Sequence, residues 1–252
     1  MKKLKFKKTS GNLLNYDMNA KTVKGQKKGY KTAILYLAPS NQSGFNVCSM
    51  ASEGCKEACL YKSGMGIFSN VQEGRINKTR WYIQERKTFL EKLMKEIDKF
   101  IIKTKKENFK PCIRLNGTSD IDWHNHKIYD LFSNCIFYDY TKKIKTALKY
   151  VNGQLPSNYY ITYSLNEDNR KEAFKILKMG GNISAVFRDD LPKKYKGYKV
   201  INGDETDLRF LDPKNCIVGL KAKGKAKKDY SGFVLDTKTS RGNLTLGNVN
   251  TL

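Results

Sequence analysis

Histidine is scarce in this chain, and long apolar runs are missing. Only two histidines occur in 252 residues, His124 and His126, so a metal site built from several histidines is excluded. No apolar run approaches the roughly 20 residues needed to cross a bilayer. The basic residues 1–8 lack the apolar stretch of a signal peptide. These absences predict a cytoplasmic protein without a membrane partner.

Acidic residues are outnumbered two to one, which leaves a strong positive charge. The chain has 48 Lys plus Arg against 24 Asp plus Glu, a formal net charge of +24. The lysine excess is spread along the chain, so one interpretation is solubility or compositional bias. The other is a polyanionic partner, a nucleic acid or a phosphorylated small molecule, because neutralised phosphates release counterions. Neither G-x-x-x-x-G-K-[ST] nor G-x-G-x-x-G occurs.

Short apolar segments alternate with helical patterns from residue 30 onward. The predicted strands are residues 32–38, 112–116, 135–139, 159–163, 183–187, 198–201 and 216–220. The predicted helices are residues 70–105, 127–132, 142–151 and 168–179. This alternation favours parallel pairing through right-handed crossovers. We therefore expect an α/β fold, a complete or partial parallel (β/α) barrel of six to seven βα units; an open doubly wound sheet is the alternative.

The chain divides into three parts by composition. Residues 1–29 are basic and weakly periodic, and they are predicted to form an arm or an irregular lead-in. Residues 30–236 are expected to form a single α/β domain. Residues 237–252 are polar and rich in glycine and asparagine, which predicts a tail.

Three cysteines are clustered in a loop after the first predicted strand. Cys48, Cys55 and Cys59 follow a C-x6-C-x3-C pattern. Thiols stay reduced in the cytoplasm, so clustering points to metal or catalysis and not to disulfides. Thiolates suit both zinc and iron–sulfur clusters. Three of them can hold three irons of a 4Fe-4S cluster and leave one iron open to substrate or S-adenosylmethionine.

Two alternatives to an iron–sulfur cluster stay open. A closed zinc site normally has four ligands, and the fourth would come through the fold from Cys112, Cys135 or Cys216. The second alternative is that the loop cysteines are unligated and pack as small apolar side chains. Cys112, Cys135 and Cys216 each begin a predicted strand, which favours core packing for them.

Polar residues follow most of the predicted strands. In parallel α/β folds, ligands bind at the carboxyl ends of the strands. The candidate catalytic residues at these ends are Asn116, Ser119, Asp120, Asp204, Glu205 and Asp207. The candidate cofactor-binding residues are Gly117, Thr118, Ser164, Arg188, Lys221 and Lys223. Any one of them is alternatively an ordinary helix cap, and the glycines allow a ligand to approach the backbone closely.

Several short motifs in this chain occur together in one known family. The main ones are Leu-Tyr-Leu-Ala-Pro-Ser at residues 35–40 and the cysteine segment at residues 48–60. The others lie at residues 71–72, 75–76, 79–80, 114–121, 203–207 and 218–226. With these motifs the chain resembles a phage and plasmid family called gene product eighty-eight, and the resemblance covers residues 30–235.

The resemblance implies a phage-type protein in the cytoplasm of a host cell. The layout is similar to phage proteins related to radical S-adenosylmethionine enzymes, which place a three-cysteine loop after the first barrel strand. Together with the cysteine loop and the positive charge, the first hypothesis is an iron–sulfur protein, a radical enzyme acting on a nucleic acid or nucleotide. The spacing here departs from the C-x3-C-x2-C of those enzymes, which affects S-adenosylmethionine binding more than metal binding. The second hypothesis is a non-catalytic nucleic-acid-binding protein with structural zinc.

Overall fold

Strands and helices alternate along most of the chain in the computed structural model, which describes residues 3–9, 11–16, 20–62 and 64–237. The strands in these residues are β1 (Leu14–Tyr16), β2 (Tyr30–Leu35), β3 (Lys110–Arg114), β4 (Ile136–Thr141), β5 (Tyr159–Ser164), β6 (Asn182–Phe187), β7 (Lys194–Tyr195), β8 (Tyr198–Asn202), β9 (Ile217–Lys221) and β10 (Val234–Leu235). The α-helices are α1 (Ala20–Gln26), α2 (Glu53–Glu57), α3 (Ser69–Gln84), α4 (Arg86–Lys106), α5 (Ile128–Leu131), α6 (Ile144–Val151) and α7 (Arg170–Lys178). All seven predicted strands are therefore present, with ends shifted by a few residues.

The strands form one mostly parallel sheet in the order β1-β2-β3-β4-β5-β6-β9-β8-β7. Neighbours from β2 to β8 pair in parallel, whereas β1 and β7 are antiparallel edge strands. The mixed α/β class is thus confirmed. In the described part of the chain the two edge strands do not pair with each other, so the sheet stays open and the complete form of the predicted barrel is not seen.

Strand β10 fills a gap beside β6. The last pair between β5 and β6 is Ser164 with Ser184. Further along β6, Val186 pairs in parallel with Val234 of β10. The chain therefore returns, after β9, to the carboxyl end of β6.

The main core lies between one face of the sheet and the helices. Phe89, Leu93, Ile97 and Phe100 recur at helical spacing on α4, and all are buried against strand residues such as Ile113. A single helix was expected over residues 70–105. In the structure Glu85 separates α3 from α4, because its φ of −134° and ψ of 56° are not helical.

A short segment after β8 covers the opposite face of the sheet. Phe210 lies there in a turn of 3-10 helix. Its ring packs at centroid distances of 5.0 Å on Tyr30, 5.7 Å on Tyr138 and 5.8 Å on Tyr160, from β2, β4 and β5. Both faces of the central strands are therefore covered, as expected for a parallel sheet.

Residues 1–29 contain more regular structure than the predicted irregular lead-in. They include β1 and α1, and β1 pairs with β2. The backbone N–H groups of Leu13 and Leu14 donate to Glu96 Oε2 at 2.7 and 3.0 Å, and Lys78 Nζ donates to the Leu13 carbonyl at 3.2 Å. β1 has only three residues, which is too few to give a recognisable alternation in the sequence. Residues 238–252 of the predicted tail lie outside the described residues.

Two further expectations concern the burial of three cysteines and the hydropathy of the helices. Cys112, Cys135 and Cys216 are all buried, which confirms their prediction as core residues. None of the described helices is both long enough and apolar enough to cross a membrane.

Candidate metal centre

The cysteine loop lies across the carboxyl ends of the parallel strands. Cys55 is on the short helix α2, Cys59 follows the end of that helix, and Cys48 precedes it. Ser52 caps α2, because its Oγ accepts a hydrogen bond of 3.3 Å from the Cys55 N–H.

Glu167, in the loop after β5, holds the start of α2. Its Oε2 accepts from Ser52 Oγ at 2.7 Å, and its Oε1 accepts from the Gly54 N–H at 2.7 Å. These bonds join residues more than 110 positions apart in sequence. The loop after β5 therefore sets the position of the helix that carries Cys55.

Gly54 is packed so tightly that a larger residue does not fit. A Cβ atom there would lie 2.1 Å from Ser231 Oγ and 2.7 Å from Phe233 Cβ. These residues immediately precede β10. Ala58 packs in a small apolar cluster with Ala222, Ala226 and Val234, so α2 also contacts the segment after β9.

The three thiols are half-buried and unpaired by disulfides. Cys48 Sγ donates to the Thr118 carbonyl at 3.6 Å. Burial raises the pKa of the Cys48 thiol to about 11 and also raises that of Cys59. Electrostatic interactions link Cys59 with both Cys48 and Cys55, which brings the predicted trio into one neighbourhood.

Lys142, the first residue after β4, lies among the thiols. Burial acts to lower its pKa, but Cys55, Asp120 and Cys48 outweigh burial and raise it. The positive charge of Lys142 in turn opposes the upward shifts at Cys48 and Cys59. A cation beside the thiols favours the anionic, metal-binding form of Cys48 and Cys59.

The geometry is not that of a preformed metal site. Within residues 3–9, 11–16, 20–62 and 64–237, no group of three or more His, Cys, Asp or Glu side chains is arranged to hold a metal ion. The donor chemistry nevertheless fits a thiolate-bound metal, because three half-buried thiols share one cation. The residue types therefore suit a metal site, whereas the arrangement of their side chains is not yet that of one.

A family comparison adds identity to this geometry. The model of the family described as Gene product 88 matches residues 12–237. The chain belongs to the gene product 88 family. No curated protein and no solved structure matches it. The family match begins at residue 12, so it includes β1 and α1, which the resemblance over residues 30–235 left out.

In this gene product 88 chain, Asn116 organises the loop after β3. Its Oδ1 accepts from Ser119 Oγ at 2.9 Å, from the Ile121 N–H at 2.9 Å and from Trp123 Nε1 at 3.1 Å. Asn116 and Ser119 are both buried. These bonds shape the loop that presents Thr118 to Cys48.

Asp120 is a candidate catalytic residue that interacts electrostatically with one of the thiols, Cys48. Its Oδ1 accepts from Thr141 Oγ1 at 2.7 Å and its Oδ2 from the Lys142 N–H at 2.9 Å. Burial raises its pKa, and the hydrogen bonds from Lys142 and Thr141 oppose that shift. Its catalytic role stays a prediction.

Gly117 and Thr118 contact protein and leave little room at their positions. A Cβ at Gly117 would lie 2.7 Å from the Leu35 carbonyl oxygen. Thr118 Oγ1 donates to the Leu37 carbonyl at 2.5 Å. Close packing of the β3 loop on the end of β2 thus accounts for both residues, while their role toward a cofactor stays a prediction.

Asp207 belongs to a buried ionic cluster on the face covered by Phe210. Its Oδ2 accepts from Arg114 Nη1 at 3.2 Å and from the Tyr138 hydroxyl at 3.3 Å. The Arg114 guanidinium lies 4.7 Å from the centre of the Tyr140 ring. These contacts compensate a buried carboxylate, and its catalytic role stays a prediction.

Asp204, Glu205, Lys221 and Lys223 lie at the surface beside the end of β9. Asp204 Oδ1 pairs with Lys223 Nζ at 2.7 Å, and its Oδ2 accepts from the Lys221 N–H at 3.0 Å. Lys221 Nζ pairs with Asp190 at 3.1 Å, and Glu205 accepts from Asn202 at 3.4 Å. Neither lysine shown in these pairs is an isolated cation.

Ser164 and Arg188 make structural contacts. Ser164 Oγ lies 3.0 Å from Ser184 Oγ on the adjacent strand. Arg188 pairs with Asp236 and donates to the Lys227 carbonyl at 2.8 Å and to the Asp229 carbonyl at 2.6 Å. Arg188 therefore braces the segment between β9 and β10.

Lys142 and Glu167 are the site residues that sequence reasoning passed over. Both stand in the polar groups that follow β4 and β5, so their position was a usable signal. Nothing local distinguished them from neighbouring Lys143 and Asp168. Their importance depends on the distant cysteine loop that each one contacts.

Proposed function

We propose that this chain is a phage-type iron–sulfur protein in which Cys48, Cys55 and Cys59 ligate the cluster. The observation that carries the proposal is the position of Lys142, whose cation interacts with all three cysteines. Because three thiolates carry negative charge, a partly buried ammonium stabilises their complex with a metal. We expect the thiol side chains to change rotamer when they bind the metal, since the described arrangement has no preformed site.

Each neighbouring residue has a defined part in this proposal. Glu167 holds α2 and with it Cys55. The Thr118 carbonyl orients Cys48. Lys142 supplies the compensating positive charge, and Asp120 accepts a hydrogen bond from the Lys142 backbone N–H.

The reaction we propose is of the radical S-adenosylmethionine type, on a nucleic acid or nucleotide. Held by Cys48, Cys55 and Cys59, a 4Fe-4S cluster would supply one iron without a protein ligand, at which S-adenosylmethionine or substrate would bind. We also propose that the open parallel sheet is a partial (β/α) barrel, with the centre at its carboxyl edge. The net charge of +24 supports a phosphate-bearing substrate.

The second candidate is a nucleic-acid-binding protein with structural zinc. The same charge favours it, and it makes no use of an open coordination position. Metal content separates the two candidates.

Anaerobic purification with iron, sulfide and zinc analysis tests the proposal. We expect a brown protein with stoichiometric iron and sulfide, and loss of both in Cys48→Ala, Cys55→Ala and Cys59→Ala. Cys135→Ala is the matched control, because Cys135 is buried just before β4, and it should keep the iron. A colourless protein with one bound zinc would support the second candidate. Equal iron in all four variants would refute the assignment of ligands.

A further inference from the structure

Residues 223–230, between β9 and β10, form an exposed basic segment that we call the 223–230 ledge. It contains a turn of 3-10 helix, Gly224–Lys228. Lys225, Lys227 and Lys228 are exposed. Within the described part of the chain, these three lysines form no ion pair, whereas Lys223 pairs with Asp204.

The ledge ends in an aromatic ring that is almost fully in solvent. Tyr230 is 87% exposed, far more than any other large apolar or aromatic side chain among the described residues. The Arg188 guanidinium lies 4.8 Å from the centre of its ring. One ring face is thus next to a cation, and an apolar surface of this size is open to a partner.

The backbone of the ledge is held firmly in place. Arg188 donates to the carbonyls of Lys227 and Asp229. Asp229 accepts from Ser231 Oγ at 2.7 Å and from the Val234 N–H at 3.0 Å. The lysines and the ring are therefore presented on a braced turn, which lowers the entropy cost of binding.

The ledge is directly joined to the candidate metal centre. Ala226 is buried in the same apolar cluster as Ala58. Ala58 caps the end of α2 and lies between Cys55 and Cys59 in the sequence. Ser231 and Phe233 approach Gly54 on the same helix. A ligand on the ledge would consequently lie beside the helix that carries Cys55.

We propose that the 223–230 ledge binds single-stranded nucleic acid, with phosphates at Lys225, Lys227 and Lys228 and a base stacked on Tyr230. Cations that track the backbone, combined with an exposed ring, match the recognition of unpaired strands, since bases in a duplex are not free to stack on a side chain. This inference deepens the proposed function by naming a substrate class and its surface. It is tested through binding and not through metal content, so the two proposals can fail separately.

The test is fluorescence anisotropy with a labelled single-stranded oligothymidine and the purified full chain. We expect Tyr230→Ala to weaken binding about tenfold, within the range of base stacking on aromatic residues. Tyr230→Phe keeps the ring and should bind like the parent. Equal affinity of Tyr230→Ala and the parent would overturn the stacking arrangement.

The lysines are tested through salt dependence. The double variant Lys227→Gln with Lys228→Gln should reduce the slope of log affinity against log salt by about 1.4, because each phosphate contact on a single strand contributes about 0.7. The matched control is Lys105→Gln with Lys106→Gln. These exposed lysines carry the same charge but end α4, at the amino edge of the sheet. An equal loss of slope in both double variants would show that the nucleic acid is attracted by the overall charge, and it would overturn the proposal that the ledge binds it.

Two further ligands check the class of partner. A duplex of the same length should compete less well than the single strand. Equal competition would overturn the proposal that the ledge prefers single strands. Vesicles containing phosphatidylserine should not compete in a Tyr230-dependent way. If they did, the ledge would be a membrane-contact surface and the proposal would be wrong.

Discussion

The carboxylate of Glu167 accepts a hydrogen bond of 2.7 Å from the Gly54 N–H, and this bond ties the loop after β5 to the cysteine helix. The second oxygen of the same carboxylate accepts from Ser52, the cap of that helix. One side chain thus holds both the cap and the first turn of a helix only five residues long. A helix of that length is unstable by itself, so its position depends on such tertiary contacts.

Replacing Glu167 should loosen the cysteine helix. We expect Glu167→Ala to lower the free energy of unfolding by about 1.5–3 kcal/mol, the range for hydrogen bonds to a charged group, and to reduce iron content. Denaturant unfolding and metal analysis measure the two effects. Asp168→Asn removes the adjacent exposed carboxylate and serves as the control. Unchanged unfolding in Glu167→Ala would contradict the role of this contact.

Gly54 should not tolerate a side chain. In Gly54→Ala the new Cβ would crowd Ser231 and Phe233, and overpacking of this kind costs about 1–3 kcal/mol. The control is Gly74→Ala on α3, where nothing lies within 4 Å of the new Cβ. Alanine is the better helix former by about 0.8–1.0 kcal/mol, so that control should be slightly more stable. Urea unfolding of both variants distinguishes close packing from a general effect of alanine.

Removing the cation at Lys142 should make the neighbouring thiols less acidic. Lys142 opposes the upward pKa shifts of Cys48 and Cys59, so Lys142→Met should raise both pKa values further. A change of about one unit lowers the thiolate fraction about tenfold below the pKa. Iodoacetamide labelling of the metal-free protein, followed residue by residue by mass spectrometry, measures this.

The adjacent lysine provides a control for that experiment. Lys143 Nζ pairs with Asp122 at 2.8 Å, and Lys143→Met removes the same charge one residue away. Labelling of Cys48 and Cys59 should slow much less in this variant. If both variants slow labelling equally, net charge and not the position of Lys142 controls the thiols.

Buried Asp139 should make the protein less stable as the pH rises. Burial raises its pKa from the ordinary 3.8 to about 8. Between these values the folded state holds a proton that the unfolded state has lost, so this group's contribution falls with increasing pH. Asp139→Asn stays neutral and can still accept from the Asn116 N–H, which bonds Asp139 Oδ1 at 2.7 Å. Its stability should therefore fall less steeply than that of the parent between about pH 4 and pH 8.

The matched variant for that pH series is Asp130→Asn. Asp130 is exposed, so this variant makes the same chemical change outside the core. Urea unfolding across the pH range gives the comparison. Parallel curves for the parent and Asp139→Asn would mean that Asp139 is already ionised when folded.

Side-chain packing and strand pairing override several local sequence patterns. Glu85 carries no sign of a helix end, since neither glycine nor proline is near it. Yet Trp81 and Phe89, on either side of the break, pack edge to face at 5.5 Å, and Trp81 Nε1 donates to Thr88 at 2.8 Å. Packing of these side chains overrides the continuous helical pattern. β10 is likewise invisible as a local pattern, because two residues become a strand only beside β6.

The sequence by itself determined the seven main strands, the alternation that makes them parallel, the burial of Cys112, Cys135 and Cys216, and the family. Hydrophobic periodicity is a local property of the sequence, so it can be recognised without knowing the contacts that the rest of the chain makes. Only the tertiary structure decided that Lys142 and Glu167 reach the cysteine loop, and that the ledge ending in Tyr230 lies beside it. These contacts depend on which loops lie together at the carboxyl edge of the sheet. The strand order decides that, and the strand order is set by the packing of the whole chain.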